Sequence, residues 1–267
     1  SMSGSALSTL GNVTGLDESG VSISGLITVA GRNSSGLHVA GLANVTRRTQ
    51  RGVVIGGLMN VAGESMNGVQ LTSLLNVAGT KNNGVQLAAL GNIAVENHGL
   101  QLGIANYGDQ NRGLQAGIAN VASQTSKGLQ LGILNISQDS TAHQIGCINI
   151  NPQTHVQMII SGGNLNKVNV AVRFKNRHTY TEWGAGAFYL DLDRKLSASA
   201  FYRGGVYCSL LPRLELSADA GFYHIETLDN KNEGLPARLY ALQPRVNLEY
   251  RLGRKIGIFA SGGYSWT

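Results

Sequence analysis

Gly68-Val-Gln-Leu-Thr-Ser-Leu-Leu-Asn-Val77, Gly84-Val-Gln-Leu-Ala-Ala-Leu-Gly-Asn-Ile93 and Gly128-Leu-Gln-Leu-Gly-Ile-Leu-Asn-Ile136 are three copies of one short unit. Each opens on glycine and carries aliphatic residues at offsets +1 and +3. Each then turns on small residues and closes on Asn followed by an aliphatic. Ten copies begin at Gly4, Gly20, Gly36, Gly52, Gly68, Gly84, Gly99, Gly113, Gly128 and Ala142, the first five steps being 16 residues and the later ones 14 or 15. A degenerate eleventh copy is read from about His155 to Asn164. Self-similarity at a fixed period signals a repeat architecture, because a unit this short must stack on its neighbours to bury a core.

Working outward from the unit, its apolar residues form two short runs of period 2, each too short for a helix. β-Branched residues and internal glycines argue the same way. The shorter copies lose one corner residue, Thr72-Ser73 becoming Gly132, so the deletion marks a turn between two strands. The expected architecture is all-β: a β-solenoid of about ten coils of 14–16 residues over 4–165, roughly 50 Å long at ~4.8 Å per coil. Glycine at the head of each coil permits a turn at positive φ. The aliphatics at +1 and +3 are expected to pile into interior columns. An antiparallel meander is the competing layout, but it would reverse direction at each copy and would not hold Asn at one offset.

That Asn column comprises Asn12, Asn44, Asn60, Asn76, Asn92, Asn106, Asn120, Asn135 and Asn149, with Thr28 in one coil. A polar residue beside aliphatics in every coil needs partners. Stacked amides can donate to one neighbour and accept from the other, which predicts a hydrogen-bonded ladder at a coil corner. A Gln column, Gln70, Gln86, Gln101, Gln115, Gln130 and Gln144, lies between the two aliphatic offsets and is therefore expected to point outward. As a flat, regularly spaced polar face it is the candidate contact for an extended glycan, the alternative being a solvated sheet face. His38 shares that offset and is expected at the surface.

From 167 to 267 the pattern changes to longer strands with alternate apolar residues, read as Lys167–Phe174, Tyr180–Leu192, Lys195–Tyr207, Arg213–Glu226, Arg238–Leu252 and Lys255–Trp266. Val246, Leu248, Tyr250 and Leu252 alternate with Arg245, Asn247, Glu249 and Arg251. Short turns, a long polar loop at Thr227–Pro236 and strands of ten or more residues resemble a bacterial outer-membrane β-barrel. Phe188-Tyr189, Phe201-Tyr202 and Phe222-Tyr223 would serve as its aromatic girdle. The other reading is a soluble antiparallel sheet that packs its apolar face on itself or on the end of the rod.

Composition narrows the function classes. Charged residues are only 13% of the 267, and net charge is +6. The positives concentrate after Asn166, with 14 Lys/Arg against 9 Asp/Glu there, but they are spread along strands. A nucleic-acid partner is not expected, since no basic stripe with interleaved aromatics occurs. Cys147 and Cys208 sit at apolar-patterned positions and read as small buried residues rather than a disulfide. There is no signal peptide and no 18-residue apolar run. Met2 followed by Ser-Gly reads as a trimmed domain start, and the last strand pattern stops at Trp266-Thr267 without a closing turn.

Catalytic constellations are missing. His38, His98, His143, His155, His178 and His224 lack metal-ligand spacing, so neither metal nor cofactor is expected. Asp17, Glu18, Glu64, Glu96, Asp109 and Asp139 are read in variable loops at unequal offsets. Glu64 and Glu96 lie two coils apart, poorly placed to flank one glycosidic bond. Asp191 and Asp193 read as structural charge near a turn. The chain is not expected to be an enzyme.

Gly-Leu-Gln-Leu-Gly-Ile-Ala-Asn at 99–106 and Gly-Leu-Gln-Ala-Gly-Ile-Ala-Asn at 113–120 resemble the bacterial surface repeat of leptospiral and Bacteroidetes proteins. The resemblance covers about residues 36–150. It implies a cell-surface or outer-membrane protein of a Gram-negative bacterium, and it carries no catalytic residues. The expected role is structural or adhesive, with an extended glycan or a host or envelope surface protein as partner. The readings from other classes are a carbohydrate-binding or carbohydrate-active solenoid and an assembly subunit whose last coil offers an edge to a partner strand.

Overall fold

The computed structural model describes residues 1–267 except 126, 164–165, 190–196, 228–237 and 267. It is all-β and divides into two units, Ser1–Gly146 with Ile150–Pro152, and Cys147–Asn149 with Gln153–Thr267.

The first unit is a parallel β-solenoid of about nine turns. Equivalent residues of successive copies lie beside one another. Gly20, Gly36, Gly52 and Gly68 are aligned, as are Val21, Leu37, Val53 and Val69. The register survives the shortening from 16 to 14 residues, because Gln86 pairs with Gln101 and Gln101 with Gln115. The meander is thereby excluded. Two constraints fix the leading glycine. Gly36 has φ +113, and a Cβ there would lie 2.1 Å from the Gly20 carbonyl oxygen. In the late coils the two strands fuse through the shortened corner, as in Leu114–Gln124 and Leu129–Ser137. At that corner a Cβ on Gly132 would sit 2.5 Å from Asn120 Nδ2, so only glycine lets the bend close over the Asn column.

The facing of the coil is the reverse of the expectation. The aliphatics at +1 and +3 point outward, with Val21, Ile23, Leu37, Val53, Leu71 and Leu102 all exposed. The interior holds the +2 residues, the Asn column and small alanines such as Ala30, Ala62, Ala78 and Ala94. Steric room explains which residues enter. Two sheets closed by tight corners leave a narrow core that fills with Ala and with flat amides stacked coil on coil. Branched aliphatics stay mostly outside; Val54, fully buried at the +2 offset, is an exception, and Met66 is the large apolar side chain packed among the alanines.

The second unit is a curled, seven-stranded antiparallel sheet with its strands in chain order. They are His155–Ser161, Asn166–Lys175, Thr179–Tyr189, Ser197–Leu211, Leu214–Thr227, Arg238–Arg251 and Gly257–Gly263. His155–Ser161 pairs antiparallel with Asn166–Lys175, for example Val156 with Phe174. The eleventh coil read there does not exist: those residues open the second sheet, whose unit starts near 153 rather than 167. The last strand continues past Gly263 through an isolated bridge between Trp266 and Leu242. Cys147 and Cys208 are both free, and Cys208 is exposed rather than buried.

Candidate functional site

The solenoid interior is built from amide ladders. Asn44, Asn60, Asn76, Asn92, Asn106 and Asn120 each donate from Nδ2 to Oδ1 of the next Asn in the column, Asn120 to Asn135, at 2.8–3.0 Å. The second hydrogen of each amide goes to a backbone carbonyl of the next coil, as from Asn76 to Leu87 at 2.8 Å and from Asn120 to Leu131 at 2.8 Å. Asn149 lies buried in the second unit.

The Gln column makes a second ladder. Gln86 donates to Gln70, Gln101 to Gln86, Gln115 to Gln101, Gln130 to Gln115 and Gln144 to Gln130, at 2.9–3.0 Å. Gln70, Gln86, Gln101, Gln115 and Gln130 have no exposed surface and Gln144 only 8%. The glycan face expected of these six residues is therefore inside the coil, unavailable to a polymer. Asn donors run toward the C-terminal coils and Gln donors toward the N-terminal ones, so the two rows of amide dipoles oppose. A third, shorter ladder runs from Asn82 through Asn97 to Asn111 at 2.9 Å per step. It was not anticipated, although Asn recurs two residues before the leading glycine in those copies.

The early coils are less regular inside. His38 is buried, against the surface position expected, and Glu18 is an interior strand residue rather than a loop carboxylate. Their side chains stand 3.9 Å apart, and neither has a hydrogen-bond partner. Loop charges stay outside: Arg48 meets Glu64 at 3.7 Å and Arg32 meets Asp17 at 3.8 Å. Asp139 ties a turn by accepting from the Thr141 amide at 2.8 Å and the Thr141 hydroxyl at 2.7 Å. The amide bond above all holds its carboxyl below the ordinary aspartate range, against partial burial, which pushes the other way.

The second sheet repeats the inversion. Val246, Leu248, Tyr250 and Leu252 are exposed, and so are Val168, Val170 and Val172. The opposite face holds two groups of largely buried ion pairs. Arg203 and Arg245 converge on Asp219, the latter at 2.9 Å. Arg173 bridges Glu182 at 3.0 Å and Glu249 at 3.1 Å, and Glu215 takes Lys175 and Arg251. Tyr180 donates to Asp219, while Arg203 donates to the Tyr223 hydroxyl at 2.9 Å. Beside these ion pairs sits a small apolar cluster of Ala171, Phe201, Tyr223, Ile225 and Ala241. A cavity of about 720 Å³ opens on the same face, lined in part by His155, Lys175, Tyr207, Glu249 and Arg251.

Alternation corrects the expected girdle. In the two described Phe-Tyr pairs the members face opposite ways: Phe201 and Tyr223 are buried, whereas Phe222 is exposed and Tyr202 half-buried. The outward members align across strands, Trp183 beside Tyr202 and Tyr202 beside Phe222. Phe222 and Tyr240 stack with ring centroids 5.8 Å apart, Trp183 and Tyr202 meet tilted at 4.9 Å, and Tyr264 and Trp266 meet edge to face at 5.0 Å. The side chains of Phe188 and Tyr189, the Asp191 and Asp193 positions and most of the 227–236 loop lie outside the described residues. Among the described residues no group of three His, Cys, Asp or Glu could hold a metal ion.

Comparison with protein-family models, with curated proteins and with solved structures finds no match to this chain.

Proposed function

We propose that the chain is a non-enzymatic structural protein of the outer membrane of a Gram-negative bacterium, of the leptospiral and Bacteroidetes surface-repeat type, whose antiparallel sheet faces lipid. The observation that carries this reading is the polarity of that sheet. One face buries Arg173, Arg203, Glu182, Glu215 and Asp219, and the other exposes valine, leucine, Trp183 and Phe222, with Tyr202 half-buried between the two aromatics. Water would favour the opposite arrangement. A membrane barrel requires this one, with aromatic residues gathered at the interface. Lipid also demands that backbone groups of edge strands be paired. The outer edges of His155–Ser161 and Gly257–Gly263 therefore pair with further strands in the assembled protein. The glycan-track reading loses its candidate surface with the Gln column inside, and an adhesive role falls to the charged loops.

The test is heat-modifiability of the full chain extracted from membranes in mild detergent. The expected result is a compact, fast band on SDS gels before boiling and a slower one after. A chain recovered without detergent and unchanged by boiling would overturn the reading.

A further inference from the structure

The solenoid, not only the sheet, carries an apolar exterior, and its layout says what covers it. Five outward columns run along the rod: offsets +1 and +3, the corner, and the residues flanking the Asn. From Val21 to Ile136 none of them contains Lys, Arg, Asp or Glu. The corner column is the clearest, with one exposed aliphatic per coil in Leu26, Leu42, Leu58, Leu74, Ile104 and Ile118, each 39–50% exposed. The charges occupy the remaining side, where Arg32, Arg47, Arg48, Glu64, Asp109 and Arg112 lie in or beside the loops.

The extent of this surface decides against a docking patch. Soluble monomers rarely expose apolar patches above about 300–600 Å². Along a rod of ~40 Å, that allowance is a strip only about 8–15 Å wide. Here both strand faces and the corner between them are apolar, so the surface wraps around the coil instead of presenting one plane. A surface that wraps calls for a solvent rather than a partner. From Asn76 to Asn120 the interior meets the condition an apolar solvent sets, since the Asn amides spend their hydrogens on each other and on backbone carbonyls, whereas Glu18 and His38 in the early coils have no such partners.

We infer that the solenoid lies along a bilayer surface, with its corner column in the acyl chains and its loop stripe in water. The direction follows from the charges. A rod standing across the bilayer would drag Arg47, Arg48 and Glu64 through the hydrocarbon, where an unpaired charge is strongly disfavoured. A rod lying in the plane leaves the whole stripe wet, as amphipathic interfacial helices do.

The test uses the full chain with Cys147→Ser and Cys208→Ser, carrying single bimane labels at Leu26→Cys, Leu74→Cys, Ile118→Cys, Arg48→Cys or Val170→Cys. Each is reconstituted in phosphatidylcholine–phosphatidylglycerol vesicles containing acyl-brominated lipid. The expected result is strong and equal quenching at the three corner positions, several-fold above that at Arg48→Cys. Graded quenching along the rod would overturn the in-plane placement. Corner labels open to aqueous iodide would overturn lipid contact. A blue shift that needs protein concentration but no lipid would mean that a second copy covers the face, which also overturns it. Val170→Cys reports the sheet separately, so failure of the solenoid proposal is distinguishable from failure of the barrel reading.

Discussion

Asn76 shows how completely one residue is used. Its two amide hydrogens go to the Leu87 carbonyl at 2.8 Å and to Asn92 Oδ1 at 3.0 Å, and its own Oδ1 accepts from Asn60 at 3.0 Å. Because Asn60, Asn76 and Asn92 are all fully buried, Asn76→Ala strands a donor on Asn60 and an acceptor on Asn92. At about 1–3 kcal/mol for each orphaned group the expected loss is about 2–6 kcal/mol. Leu74→Ala, two residues earlier on the exposed corner of the same coil, leaves no orphan and should cost far less. Thermal melts of both variants in detergent, followed by circular dichroism, compare the two. Equal shifts would show that the ladder is not what holds the coil. The ladder itself was legible in the sequence from the constant offset of Asn. The burial of Gln70 through Gln144 was not. Alternation tells which residues share a face, and the choice of the inner face was made by assuming water outside. The residue that could have corrected it is the small one two places after each Asn, Ala62, Ala78 and Ala94, since a column of alanine suits a cramped interior better than a surface.

At the scale of the strand the sequence reads closely. Arg213–Glu226 was expected and Leu214–Thr227 is found; Arg238–Leu252 was expected and Arg238–Arg251 is found. Period-2 patterning survives to the end of each strand because both faces are chemically committed. What the pattern could not show is which charges meet. Strand register brings Asp219 opposite Arg245 and beside Arg203, residues 26 and 16 positions away in sequence. Asp219 is the acceptor for two guanidiniums, the Tyr180 hydroxyl and Asn247. Asp219→Ala leaves two buried cations facing each other without their anion. Breaking a buried pair costs about 3–5 kcal/mol, and here one carboxylate serves two partners. The expected outcome is a sheet that unfolds at markedly lower denaturant, with Asp219→Asn between it and the parent chain. A melt of Asp219→Ala that matches the parent would mean that water or another carboxylate neutralises Arg203 and Arg245.

Across the whole molecule the two units keep separate interiors, one of stacked amides and one of ion pairs and aromatics. Two independent cores predict two unfolding transitions rather than one. The chain provides a way to separate them, because its two tryptophans, Trp183 and Trp266, both lie in the second unit. Tryptophan fluorescence therefore follows only the antiparallel sheet, whereas far-ultraviolet circular dichroism follows both units. In guanidinium titrations in detergent the two probes should give curves that do not superimpose. Asn76→Ala should move the part of the circular dichroism curve that fluorescence does not see and leave the fluorescence midpoint in place. Asp219→Ala should move the fluorescence midpoint. Coincident curves, or an Asn76→Ala shift seen equally by fluorescence, would mean that the solenoid and the sheet unfold as one cooperative body. The ladder would then contribute to the stability of a sheet in which it has no residue.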